Sequence, residues 1–322
     1  MYIFMANRVT SMTESGLLAA ITVVMALIGV YVPLLGTVAI LMWPLPILVL
    51  IVRHGLKWGL MAVFVSAVLT AALVEPAVSL RLALAFAPGG VALGLGFRNE
   101  WSSVRTLVTG IVVSMVSKLA ALALLFAITG IEPFSMQFDM MEASFDQTIE
   151  FYRGVGMSET QLAEVQENLV QNLSLMRLLI PLVVVLMGLM DTMVNYLLGG
   201  KVLRRLGHDV KTLPPFVEWR LPPVFVYVFG FSLVGAYWGT TREIDLLYRA
   251  SLNLSMLATF AGLVEGVVVY MYAWRHFHWP KFFGAFGLTF IFLNAFLLRL
   301  LCLVGLFDMV MDYRRRYWGD SK

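Results

Sequence analysis

Three charged side chains, Lys118, Asp191 and Glu265, stand inside long apolar runs. A charge at bilayer depth costs at least about 2.5–3.5 kcal/mol on insertion scales, so such groups face the interior of a helix bundle. Each belongs to an ordered stripe. Gly110, Ser114, Ser117 and Ala121 run beside Lys118; Gly188, Asp191, Asn195 and Gly199 form a second set; Ser251, Ser255, Ala258, Gly262 and Glu265 form a third. Spacings of three and four place each set on one helix face. Small residues in stripes are the usual means of close helix packing in lipid, and a buried ion pair would account for the charges in purely structural terms. The other chemistry open to them is a substrate or proton site. Lys118, Asp191, Asn195 and Glu265 are therefore the candidate substrate-binding residues.

Pro88, Gly89 and Gly90 join this set. Proline lacks the backbone donor and clashes with the preceding turn, so it is expected to interrupt its helix. Broken helices at membrane depth line a cavity or are buried in protein. Gly90-x-x-x-Gly94 reads equally well as a packing motif. Glu75 and Arg81 flank a short loop nearby and are expected to pair at the interface, with a place at a site entrance as the alternative.

The elements that must hold these residues follow from composition. The 322 residues are 60% hydrophobic and 13% charged, with mean hydropathy +0.85. A soluble domain carries about 25% charged residues. Half that charge leaves too little polar surface to face water all round, so lipid must be the solvent for most of the chain. About 20 apolar residues cross about 30 Å of hydrocarbon as a helix. On that measure spans fall at roughly 15–35, 38–52, 58–74, 79–97, 105–130, 174–203, 222–239 and 247–274. The second contains Pro44 and Pro46 and should be kinked. A last run, 282–313, would be about 48 Å long as one helix at 1.5 Å per residue, more than the membrane requires. A broken or re-entrant hairpin turning near Asn294 is the preferred reading. The fold class is thus all-α, a polytopic transmembrane bundle of eight or nine spans.

Orientation comes from lysine and arginine in the short loops. Arg53 and Lys57, Arg98 and Arg105, the Lys201–Arg220 stretch, and Arg275 and Lys281 all fall in alternate loops. Those loops are expected in the cytoplasm, with the amino terminus inside and 131–173 outside. Trp58, Trp101, Trp219, Trp274 and Trp279 lie near the same boundary, as an interfacial aromatic belt would. A hairpin at Asn294 would return Arg314, Arg315 and Arg316 to that side. These charges, with Asp308 and Asp312, read as an interfacial helix end that could hold anionic lipid.

The 131–173 excursion has its own pattern. Phe138, Met141, Phe145, Ile149 and Tyr152 repeat with helical spacing. Gly154-Val-Gly156 ends that pattern, and Ser158-Glu-Thr-Gln161 reads as a capping box opening a second helix. Its apolar face carries Leu162, Val165, Leu169 and Leu173. Two amphipathic helices result. They form either a lid over the bundle, with Phe145 and Tyr152 as lid residues, or a pair lying flat on lipid.

Other chemistries find little footing. There is no P-loop, no H-E-x-x-H and no G-x-S-x-G. The single cysteine, Cys302, rules out an intrachain disulfide and a cysteine-based metal cluster. His276 and His278 beside Trp279 form an H-x-H that reads as a solvated interfacial pair rather than a metal site. No enzyme activity, cofactor, resident metal or nucleic-acid partner is expected. No cleavable leader is evident before the first span.

Several motifs, in order, resemble the YybS-like family of bacterial membrane proteins. They are Thr13-Glu14-Ser15-Gly16-Leu17-Leu18-Ala19-Ala20, Pro44-Leu-Pro46 followed by Arg53-His54-Gly55, Pro88-Gly89-Gly90, Gly305-Leu-Phe-Asp308 and Asp312-Tyr-Arg314. That resemblance implies the inner membrane of a bacterium. The first six spans also resemble S components of energy-coupling-factor (ECF) transporters. That likeness implies an outward-opening ligand cavity, a small-molecule ligand, and a membrane partner subunit working with ATPases. The first helix departs from the A-x-x-x-A pattern frequent there, since Val23 and Val24 follow Ala19 and Ala20 by four residues. The domain division that follows is a six-helix S-component-like module over 1–205, including the 131–173 helices, and further membrane helices with a basic cytoplasmic end over 206–322. Three functions compete on this reading: solute binding or transport, a proton-coupled stand-alone carrier using Asp191 and Glu265, and a non-transport scaffold in the membrane.

Overall fold

A computed structural model describes residues 2–130, 132 and 134–317, with side chains at all of these but 2–10, 136 and 317. The described residues form helices and loops and no strand. In hydrocarbon every backbone N–H and C=O must be satisfied within the protein, which helices do locally. Eight helical segments are long and apolar enough to cross a membrane. They are carried by α1 (Tyr2–Tyr31), α2 with α3 (Leu35–Leu41, Leu45–His54), α4 (Leu56–Leu73), α5 (Pro76–Arg98), α6 (Ser103–Thr129), α9 (Ile180–Arg205), α10 (Val224–Thr241) and α11 (Asp245–His276). Between α6 and α9 lie α7 (Ser135–Gly154) and α8 (Glu159–Leu178). The chain ends with α12 (Lys281–Leu293), α13 (Ala295–Met311) and α14 (Tyr313–Tyr317).

The chain forms two compact units, one of residues 1–170 and 183–212, the other of 171–182 and 213–322. In the first, α3 is the central helix. Every residue from Leu45 to Ile51 is buried, as befits a helix that is apolar on all sides. Trp43, Ile47, Ile51, Leu82, Ala26 and Ala87 form its main cluster. Outward faces are apolar too: Phe64 is 70% exposed and Val116 60%. Such surfaces require lipid.

The second span breaks at Met42–Pro44, where the kink is expected, and Pro46 falls in the first turn of α3, where its missing donor costs nothing. The fourth span corrects an expectation. Pro88 does not interrupt its helix; α5 runs unbroken from Pro76 to Arg98. The reason lies in the packing. Pro88 removes the donor for Leu84, and the next carbonyl, that of Ala85, accepts from Ser117 Oγ at 3.1 Å and Lys118 Nζ at 3.5 Å, so a neighbouring helix supplies donors beside the disturbed bond. Gly89 lies against Ser114, and Gly90 and Gly94 against Pro44 and Ile51, so α6 and α3 clamp α5 on both sides.

The excursion holds the two expected helices, although residues 131 and 133 lie outside the described set. Ser158 and Gln161 form the reciprocal capping box: Ser158 N donates to Gln161 Oε1 at 3.1 Å, and Gln161 N to Ser158 Oγ at 3.4 Å. Phe138 and Leu162 are buried. The helix continues past 173 to Leu178, and the sixth span starts at Ile180 rather than 174; Pro181, without a donor, sets the new start.

One end of the first unit gathers its basic loops. Glu14 accepts from Arg53 at 2.9 Å and pairs with His54 at 2.6 Å. Arg98 Nη1 donates to the last carbonyls of α3, Ile51 and Val52, at 3.0 and 3.1 Å. Lys211 Nζ donates to the Glu100 carbonyl at 3.0 Å and Ser103 Oγ to that of Thr212 at 3.0 Å. The two early family motifs, Thr13-to-Ala20 and Arg53-His54-Gly55, thus meet at this end.

In the second unit α11 and α13 cross at glycines. A Cβ on Gly305 would collide with the backbone of Gly262 and Gly266. Asn253 ties the short 171–182 stretch to α11, donating to the Leu178 carbonyl at 2.8 Å and accepting from Leu182 N at 3.0 Å. The last apolar run breaks at Asn294, where the chain turns through 107°. Asn294 Oδ1 caps α13 by accepting from the N–H groups of Phe296 and Leu297 at 3.0 and 3.1 Å.

Candidate functional site

Three candidate residues of the first unit, Lys118, Asp191 and Asn195, converge on one buried polar centre. Ser114 and Lys118 stand one turn apart on α6, and Asp191 and Asn195 one turn apart on α9. The small residues of both stripes, Gly110, Ala121, Gly188 and Gly199, are buried between helices. They let the backbones come close enough for short polar side chains to meet. Lys118 Nζ lies 2.5 Å from Asp191 Oδ2 and donates to Ser114 Oγ at 2.8 Å. Ser114 Oγ lies 3.0 Å from each Asp191 oxygen. The ammonium also sits 4.6 Å from the centre of the Phe86 ring. Lys118 is 7% exposed, Asp191 3% and Asn195 1%. This is a desolvated ion pair with its donors and acceptors largely filled, the condition under which buried charges are tolerated.

Asn195 carries the centre toward the break in the second span. Its Nδ2 donates to the Leu41 carbonyl at 2.8 Å and to that of Asp191 at 2.7 Å. Its Oδ1 and Thr192 Oγ1 are buried with no hydrogen-bond partner among the described residues, as are Trp43 Nε1 in the break before α3 and Thr70 Oγ1 on α4. Leaving such groups unmatched costs about 1–3 kcal/mol each, and native proteins usually complete them with water or ligand. In the sequence Thr192 and Trp43 read as ordinary span residues. The tryptophan beside Pro44 was the available signal.

Of the Pro88-Gly89-Gly90 run, Gly89 faces this centre at Ser114, whereas Gly90 packs on Pro44. Pro88 also lines an open apolar groove of about 580 Å³ between α4, α5 and α6. Lys118, Asp191 and Asn195 do not line that groove. Glu75 and Arg81 are both exposed and, among the described residues, make no ion pair with each other. Six residues apart, one before the helix and one nearly two turns inside it, they point to different faces. On α7, Phe145 is half-buried and Tyr152 exposed.

Glu265 is not part of this centre. It belongs to the second unit and has its own partners. Arg314 Nη2 contacts Glu265 Oε1 directly and Asp308 Oδ2 at 2.9 Å. Arg314 Nη1 donates to the carbonyls of Trp219 at 2.8 Å and Val217 at 3.4 Å. Leu221 N donates to Glu265 Oε2 at 2.9 Å. Arg314 is 3% exposed, so the expected interfacial helix end is corrected: this arginine is buried between two carboxylates, and only Arg315 and Arg316 face outward. One cation between two anions needs the backbone carbonyls to fill the rest of its donor fork.

Fold and polar centres together define a polytopic helical membrane protein with charges paired inside its units. The chain belongs to the family described as "Predicted membrane protein (DUF2232)", whose pattern matches residues 20–309. It is similar to the "Uncharacterized protein YybS" of Bacillus subtilis (strain 168), with 23% identity over 313 residues, covering 96% of this chain and 99% of the relative. No solved structure matches it.

Proposed function

We propose that this protein binds a small polar solute at the centre of its first unit and serves its passage across a bacterial cytoplasmic membrane, in the manner of an S component. One observation carries the reading: Asn195 Oδ1 and Thr192 Oγ1, on the same turns of α9 as Asp191, are buried and unmatched by protein among the described residues. They offer an amide acceptor and a hydroxyl that can donate or accept, on the helix that carries half of the charge pair. A solute with both donors and acceptors fits such a set, and the S-component resemblance supports an outward approach past α7 and α8. The basic loops joined at one end of the unit support a cytoplasmic location for that end, with the amino terminus inside. A membrane partner with ATPases would supply the energy.

Mass spectrometry of freshly purified protein, native and then denatured, tests this. A stoichiometric small molecule released from wild type and missing from folded Asn195→Leu and Asp191→Asn variants is the expected result. Full occupancy in both variants rejects the site. Protein carrying lipid alone moves the reading to a membrane scaffold. A second reading, a proton-coupled carrier working alone, draws on the two buried carboxylates, Asp191 and Glu265, each held against a cation. Uptake into liposomes driven by a pH gradient without ATP separates it from the first.

A further inference from the structure

The apolar groove between α4, α5 and α6 has a charged mouth, and the two features fit one class of ligand. Leu84, Pro88, Val91 and Leu95 of α5 form its floor, with Leu60 of α4 and Val113 of α6 on the walls. From Leu80 to Leu95, both lining residues, it runs about 22 Å at 1.5 Å per residue. That exceeds the depth of one leaflet, about half of the 30 Å hydrocarbon core, so an extended acyl chain fits along it.

Trp101 closes the groove at the end where α4 and α6 begin. Lys57 stands one turn before Leu60, and Arg105 one turn before the lining residue Thr109. Lys57 also lines the adjoining hollow that shares Leu60. The Arg105 guanidinium lies 4.4 Å from the centre of the Trp101 ring, beside the mouth. Both cations are exposed, and among the described residues neither takes part in an ion pair. The first turns of two helices add their dipoles at the same end, again favouring an anion. A partner helix would use the apolar wall but has no need of two uncompensated cations, and a free phosphate would use the cations but not the groove.

We propose that this groove is a binding site for an anionic phospholipid, with one acyl chain along α5 and the phosphate held between Lys57 and Arg105. The site is independent of the polar centre, whose ion pair does not face it.

Native mass spectrometry of the full chain in mild detergent provides the test, using phosphatidylglycerol and phosphatidylcholine with identical chains. Each basic residue near a membrane surface adds a measurable preference for anionic lipid, so wild type should retain phosphatidylglycerol about tenfold more strongly. Lys57→Gln with Arg105→Gln should abolish the difference, while Thr109→Trp, which fills the groove, should weaken retention of both lipids. Equal retention of the two lipids by wild type overturns the proposal, and so does an undiminished preference in the double glutamine variant. A second copy of the chain occupying the groove in place of lipid, seen as a lipid-free dimer that Thr109→Trp dissociates, also overturns it. If Thr109→Trp fails to fold, the wild-type comparison and the glutamine variant still decide.

Discussion

Asp191 and Lys118 can be separated from each other only at a cost that reveals what they do. Removing one partner of a buried pair leaves an uncompensated charge and typically destabilises by about 3–5 kcal/mol, whereas replacing both by apolar residues of similar volume is often neutral. Asp191→Leu alone should therefore lower the unfolding temperature in detergent sharply, and Lys118→Met with Asp191→Leu should recover most of it. If the pair is only structural, the double variant also keeps whatever the protein does; a folded double variant that has lost solute occupancy assigns the pair to function. Arg314 invites a parallel comparison. Arg314→Met leaves Glu265 and Asp308 facing each other without a cation and should destabilise far more than Arg315→Met, whose side chain is exposed. Equal effects on thermal unfolding would show that the buried cluster contributes nothing. The two charge centres were not equally readable from sequence. Lys118 and Asp191 stood out because each lies deep within an apolar run. Arg314 sits in a basic triplet at the end of a span, where solvated arginines are ordinary, and only the chain turning back on itself buries it.

Helices were recognisable from apolar length alone, and their ends from caps: Ser158 with Gln161, Pro46 in a first turn, Asn294 before α13. What local pattern did not give was the effect of neighbours. Pro88 reads as a break by backbone chemistry, yet Ser117 and Lys118 donate beside it and α5 stays whole. Pro181 works the other way, moving the sixth span six residues beyond where hydropathy begins it. The glycine stripes identified packing faces correctly but not which helix each would meet. That partner choice makes a specific prediction for α11 and α13. Gly305→Val places a branched side chain against the backbone of Gly262 and Gly266. Backbone cannot yield as a flexible side chain can, so the helices must separate, at about 1–3 kcal/mol or more. Gly230→Ala on α10 meets nothing within 4 Å and should be neutral, or stabilising by up to about 1 kcal/mol through helix propensity. Thermal unfolding of the two variants in one detergent compares them directly; a neutral Gly305→Val would mean that α11 and α13 do not cross at these glycines.

The path of the second unit through the membrane follows from counting spans and from one set of hydrogen bonds. The 213–221 segment leads into α10. Two spans, α10 and α11, return the chain to the side of that segment at His276. If residues 281–311 crossed once, Arg314 would emerge on the opposite face. Arg314 instead donates to the carbonyls of Val217 and Trp219, in the segment between spans six and seven. The chain must then enter and leave on one side, and the 107° turn at Asn294 is what allows it. The basic residues of the unit agree: Arg315 and Arg316 then share a side with Arg220, Arg275 and Lys281, and such clusters favour the cytoplasm. With Cys302→Ala as background, single cysteines at Ser102, Ser158 and Arg316 can be labelled by a membrane-impermeant maleimide in intact cells. Position 158, in the acidic excursion, should react at once. Positions 102 and 316 should react only after permeabilisation. Labelling at 316 in intact cells, with 102 still protected, would require a ninth crossing and would be incompatible with the Arg314 bonds to the 213–221 segment.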